Sequence, residues 1–246
     1  MIRKNLLVVA VLTLLVGAAS AQNAPTLSAE IRLLSFNPEG SVDEAFIQDP
    51  GAAATAQAVK APVKSFLNHE FSTVLLTSRK FAVTAKPTRT SLTTPGELLA
   101  EVTLPEGVNS AIVIFLPAKK GDKAKFQGLV INDAKRVFPA GSYHATNLSP
   151  MPIRLVLEKK NFDFKPGQAL LIEDPPVREG RKSGMRTFAF KDNVWMAMAT
   201  GIWPHPGEAR SVLLFFYDAA TGDVQLRSFD DVAPRDPAKD KEVKPI

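Results

Sequence analysis

The chain has no cysteine in 246 residues. That excludes disulfides, thiol catalysis, cysteine-ligated zinc and iron–sulfur clusters, so apolar burial must supply the stability. Histidine is scarce too: His69, His144 and His205 stand far apart, with no pair at metal-ligand spacing. There is no Gly-x-Ser-x-Gly elbow, no phosphate loop and no dinucleotide fingerprint. No cofactor is therefore expected. After residue 21 no apolar run is long enough to cross a bilayer as a helix.

Residues 1–21 read as a signal peptide. Arg3 and Lys4 form the basic start, Leu6 to Gly17 the apolar stretch, and Ala19-Ser20-Ala21 the cleavage site. Export to the periplasm or beyond the cell is the expectation. Cleavage would leave 28 basic and 25 acidic residues, a net charge of +3. So small a balance gives no reason to expect a nucleic-acid partner.

What the chain does have is turn punctuation: 19 prolines and 14 glycines, seven of those glycines one or two residues after a proline. Such spacing interrupts long helices. Pro50-Gly51, Pro95-Gly96, Pro166-Gly167 and Pro206-Gly207 suit type II turns, and the triplets ending at Gly40, Gly107 and Gly141 suit type I turns. Between them lie runs of strand length. Leu98, Ala100, Val102 and Leu104 alternate with polar residues, and only Leu99 breaks the phase. Ala111 to Leu116 is apolar on both faces, as a strand covered on both sides would be. Residues 52–61 read as a turn of helix or a covering loop ended by Pro62. Glu158 to Asn161 reads as a four-residue hairpin link, and Ser211 to Phe229 as a further hairpin.

The expected architecture is all-β: two small immunoglobulin-like antiparallel β-sandwiches in tandem, at 28–117 and 126–232, or alternatively one larger sandwich. The basic stretch Ala118 to Lys125 marks the boundary, and 233–246, alternating proline with charge, reads as a disordered tail. Leu33–Pro38 and Ala145–Pro150 share a faint pattern that suggests a repeat.

Phe138-Pro139-Ala140-Gly141-Ser142-Tyr143, Asn147-Leu148-Ser149-Pro150 and Lys165-Pro166-Gly167-Gln168 together resemble uncharacterised exported bacterial proteins with immunoglobulin-like β-domains. The resemblance extends loosely to Arg227–Asp231. It implies a β-sandwich and brings no catalytic residues.

Candidate ligand-binding residues fall in the last third. Arg178, Arg181, Lys182 and Arg186 could grip a polyanion. Trp195, Trp203 and His205 could line a protein or sugar contact, with Trp195 facing away from Val194, Met196 and Met198. The acidic pairs Glu173-Asp174 and Asp230-Asp231 would each point to opposite strand faces, and acids at strand ends are usually solvated. The expected function is non-catalytic: a binding or structural role in the cell envelope through contact with an envelope or extracellular protein. The alternative is a carbohydrate- or polyanion-binding module, and a hydrolase using Asp or Glu ranks below both.

Overall fold

The computed structural model describes residues 27–37, 42–67, 70–178, 182–204 and 209–231. The signal segment, the turn ending at Gly40, His69, Arg181, His205, Pro206-Gly207 and the residues beyond 231 lie outside the described residues. Among the described residues every regular element is a strand except a short 3-10 turn at Arg89–Leu92. The strands are β1 (Leu27–Ser35), β2 (Glu44–Gln48), β3 (Val59–Lys64), β4 (Ser72–Leu76), β5 (Lys80–Thr84), β6 (Leu98–Thr103), β7 (Ser110–Pro117) and β8 (Phe126–Asn132). They continue as β9 (Tyr143–Asn147), β10 (Ile153–Leu157), β11 (Lys160–Phe164), β12 (Ala169–Ile172), β13 (Lys182–Lys191), β14 (Val194–Pro204), β15 (Arg210–Asp218) and β16 (Asp223–Asp231). The all-β sandwich expectation holds.

The first eight strands form one sheet in the order β6-β5-β2-β3-β1-β7-β8, with β4 also on β1. The last eight form two sheets, β11-β10-β13-β14 and β12-β9-β15-β16. The pairing pattern of the first eight recurs in the last eight. β4-β1-β7-β8 corresponds to β12-β9-β15-β16, and β3-β2-β5-β6 to β11-β10-β13-β14. The first half adds one link, β1 to β3. Ser35 stands opposite Phe115, and Asn147 opposite Phe215. The next amide in each case, Phe36 or Leu148, donates to that phenylalanine's carbonyl, at 3.2 and 2.7 Å. Ser35 and Asn147, matched in the faint sequence pattern, therefore take equivalent places.

Several local expectations change. Three pairings, β1–β3, β1–β7 and β9–β15, are parallel, where antiparallel sheets were expected. Alternation reports which face is buried and says nothing of strand direction. Residues 118–125 form the loop of the β7–β8 hairpin, so the first half's sheet runs on to Asn132. Pro62 does not end an element; it sits inside β3 opposite Glu44. There β3 has β2 on one side only, since its pairing with β1 starts at Val63, so the missing amide proton is tolerated. Leu99 breaks phase because it is the extra residue of a bulge: Val83 pairs with Ala100 and Thr84 with Leu98. Gly167 has φ 76° in the turn closed by Gln168 N–H to Lys165 O at 3.0 Å, as a type II turn needs. Gly51 is not among the positive-φ residues, and its turn closes on Asp49.

Three apolar clusters hold the chain together. The first core joins Ile31, Leu33, Phe81, Val83, Val113 and Phe115. The second joins Leu155, Leu157, Phe164, Met185, Leu213 and Phe215. Between β4-β1-β7-β8 and β12-β9-β15-β16, the inner layers, lie Leu34, Ile112, Ile114, Phe138, Val212, Leu214 and Phe229, and β3-β2-β5-β6 and β11-β10-β13-β14 are the outer layers. Along β7 and β15, alternate residues enter different cores, which is why both strands are apolar on both faces.

At one end of this middle layer sit four charges without solvent exposure: Arg32, Asp133, Arg210 and Asp231. Arg32 donates to both Asp133 oxygens at 2.8 Å and to Asp231 Oδ2 at 3.0 Å. Arg210 donates to Asp231 Oδ2 at 3.1 Å, to Asp133 Oδ1, and to the Phe138 carbonyl at 2.7 Å. Phe71 and Phe138 rings lie 4.9 and 4.5 Å from the respective guanidinium carbons. The quartet is neutral and its donors are nearly all engaged, while Asp231 Oδ1 is buried with no hydrogen-bond partner. Burial opposes the Arg32 charge, but Asp133 and Asp231 outweigh it and its pKa stands above the ordinary value. Asp231 thus corrects the expectation of a solvated acid, whereas its neighbour Asp230 is exposed as strand alternation requires.

Two outcomes follow for stability. Leu214→Ala should lower the unfolding free energy by about 2–5 kcal/mol in urea denaturation, because it opens a cavity in the middle layer. Asp231→Ala should cost about 3–5 kcal/mol by leaving two buried guanidiniums short of a partner. A loss below about 1 kcal/mol would mean that water already compensates those charges.

Candidate functional site on the β13–β14 hairpin

β13 and β14 are the ten- and eleven-residue arms of one hairpin at the edge of the outer sheet. Asp192 and Asn193, at φ 51° and 62°, form its two-residue turn, the geometry that matches strand twist. Ser183, Met185, Thr187 and Ala189 of β13 point inward and are buried. Arg186, Phe188 and Phe190 lie in the opposite phase, toward the outer face.

Trp195 joins that outer face. It pairs with Phe190, with ring centroids 5.1 Å apart, and the Arg154 guanidinium lies 4.4 Å from the Trp195 ring centroid. Arg154 is also bonded twice to Asp163 on β11, at 2.6 and 2.8 Å. That bond holds the Asp163 carboxyl below, and the Arg154 guanidinium above, their ordinary pKa values. Trp195 therefore stands opposite in phase to Val194 and Met196, as expected. Met198 differs: it is the extra residue of a bulge, since Thr187 pairs with Ala199 and Phe188 with Ala197.

The other candidates do not gather around Trp195. Trp203 pairs with Ser183 at the far end of the hairpin, and its side chain lies outside the described residues, as do Arg181 and His205. Lys182 begins β13 opposite Pro204, and Arg186 sits mid-strand between Val156 and Thr200. Among the described residues no ion pair holds Arg186. Arg178 is paired with Glu158, so its charge is already met.

Glu158 is a residue that sequence reading placed only in a four-residue link. It heads a two-residue turn between β10 and β11, at φ 53°. Its carboxylate accepts the Gly184 amide and the Arg178 guanidinium, which hold its pKa below the ordinary value. No motif marked this, because the partners are 20 and 26 residues away.

β14 differs from the other edge strands. Among the described residues no strand pairs with its outer edge, and from Val194 to Pro204 it carries no charge. Val194, Met196 and Ile202 are 60%, 48% and 71% exposed. β11 and β16 carry charges, and the uncharged edges β4 and β12 have only five and four residues. Long, apolar, uncharged edges are the kind that natural sheets normally blunt.

A cavity of about 220 Å³ opens between β14 and β16, lined by Met151, Met196, Met198 and Val224, with Lys191 and Asp223 also on its wall. The equivalent seam of the first half, between β6 and β8, is bridged by direct contact, with an open depression of about 460 Å³ on its outside next to Glu101 and Gln127. There Lys125 N–H donates to Leu98 O at 3.0 Å, and Phe126 and Val130 pack into the core. Gly128 lies so close to Val102 that a Cβ would sit 3.0 Å from Val102 Cγ2. The two halves thus share a topology but bridge one seam and leave the other open.

No group of three or more His, Asp or Glu residues able to hold a metal occurs among the described residues. Asp133 and Asp231 share Arg32 but are sealed from solvent, so no substrate reaches them there. No helix among the described residues is long and apolar enough to cross a membrane.

No family model matches the chain, and no curated protein matches it. Among solved structures, similarity is found to a "putative cell adhesion protein" from Bacteroides uniformis, at 11% identity and a TM-score of 0.18. The alignment covers 85% of this chain and 99% of that one.

Glu158 gives the site a pH signature. Its folded pKa lies below the ordinary 4.5, so the tie to Gly184 is complete above that value and is lost as pH falls through the folded pKa. The Gly184 amide shift should titrate with a midpoint below 4.5 by NMR, and Glu158→Gln should abolish the titration. A midpoint at or above 4.5 would contradict the assignment.

Proposed function

We propose that this is an exported, non-catalytic protein of the cell envelope that binds another protein along the free edge of β14. The supporting observation is that edge itself: eleven residues without a charge, apolar side chains exposed, and an open seam beside it. An extended partner segment would gain main-chain hydrogen bonds from β14 and burial from Val194, Met196 and Ile202. Trp195 and Arg154 on the adjoining outer face are residue types that dominate binding energy at interfaces.

The alternative, a carbohydrate- or polyanion-binding module, retains Arg186 and Lys182 but draws less from Arg178, which Glu158 neutralises. Trp195 also has Arg154 beside its ring, which limits stacking by a sugar.

The test compares capture from envelope extract by the wild-type chain and by Ile202→Lys and Met196→Lys. Both substituted side chains are about half exposed or more, so each variant should keep its stability within about 0.5 kcal/mol. Capture of a specific protein should fall at least tenfold in both. Equal capture by the variants, or retention on anionic polymer that vanishes with added salt and ignores Ile202→Lys, would overturn the protein-contact reading.

A further inference from the structure

We propose that a second copy of this chain docks on the free edge of β14. The two β14 strands pair antiparallel about a two-fold axis, so that two outer sheets join into one eight-stranded sheet. This rests on the reading above that β14 is a binding edge, and it names the occupant.

Three observations point to self-pairing. The first is charge. Antiparallel pairing of β14 with itself sets each half of the strand against the other half. An uncharged strand meets no like charge in that arrangement, whereas β11 and β16 would bring charged side chains to a self-pairing edge. The same arrangement brings the Lys191-Asp192 turn of one copy toward the Lys182 end of the other, where Asp192 supplies an opposite charge and offsets Lys191 beside it.

The second is the open seam. In the first half, β6 and β8 bridge the equivalent gap directly. In the second half, the gap keeps its methionine-lined cavity on the same side as the free edge of β14. A two-fold at β14 turns the two cavities toward one another, and flexible Met196 and Met198 side chains from both copies can fill the joint space.

The third is elimination of the chain's own tail. The 15 residues after Asp231 carry three prolines and seven charges. They lack the apolar alternation of a strand, and Pro234, Pro237 and Pro245 interrupt their row of amide donors.

The absence of cysteine makes the test direct. Sedimentation velocity of the purified full chain, from about 1 to 200 µM, should show concentration-dependent dimer formation, as mass action requires. Ile202→Lys should weaken the dimer at least tenfold. Single cysteines placed at Ala197, Ala199 and Thr200 should cross-link to themselves under oxidation, with the yield greatest at the residue nearest the two-fold axis. Leu75→Cys, on the exposed face of β4, should not cross-link. Circular dichroism of each variant confirms that it is folded, and the cysteine scan does not depend on the lysine variant.

A dimer that ignores Ile202→Lys, or cross-linking as strong at Leu75 as on β14, would overturn the inference. A monomer at every concentration would also overturn it. If that monomer still captures a partner through β14, the binding-edge reading stands and only self-pairing falls. If it captures nothing, both fall.

Discussion

Two guanidiniums and two carboxylates, sealed from water, fix how the halves of this protein meet. Arg32 and Asp133 come from the first half, and Arg210 and Asp231 from the last two strands. Each charge is met by opposite charges from both halves, so none can leave without stranding the others in a low-dielectric layer. The quartet caps an apolar layer in which Leu34, Ile112 and Ile114 face Val212, Leu214 and Phe229. Apolar contact supplies area but little direction. The bidentate Arg32–Asp133 geometry adds direction, since a carboxylate accepts a planar fork in few orientations.

This arrangement divides the sheets by their duties. The inner sheets are covered on both faces and have little left to offer a partner. The outer sheets keep one face and their edges in solvent. Most of those edges are short or charged, and the first half bridges its seam by bringing β8 onto β6. What remains is β14, long and uncharged, beside a seam that the second half leaves open. The proposed binding edge therefore stands out by contrast with its counterpart in the same chain.

Much of this was legible before the structure. The apolar runs located β7 and β15, and the double-faced pattern of Ala111 to Leu116 announced a strand covered on both sides. β3 was missed because alanine and proline are poor strand signals, and Pro62 is tolerated only where β3 lacks a second neighbour. Leu99 and Met198 disturbed the alternation for one reason, a bulge, which only pairing partners disclose. In the candidate site, the opposite phase of Trp195 to Val194 and Met196 was readable, and which of the two sides faces outward was not. The pairing of Arg178 with Glu158 was not, since nothing local links residues 20 apart.

By itself, the sequence determined what is local or compositional: no thiol chemistry, strands of given length and phase, turns at many of the proline–glycine steps, and an uncharged β14. Only the tertiary structure decided which faces are covered twice, where parallel pairs form, which seam is bridged and which charges are buried. Local patterning records the burial of a residue relative to its neighbours. It does not record the contacts that create the quartet, which join Arg32 to residues 101 and 199 positions away. Those pairings exist only once the sheets have stacked.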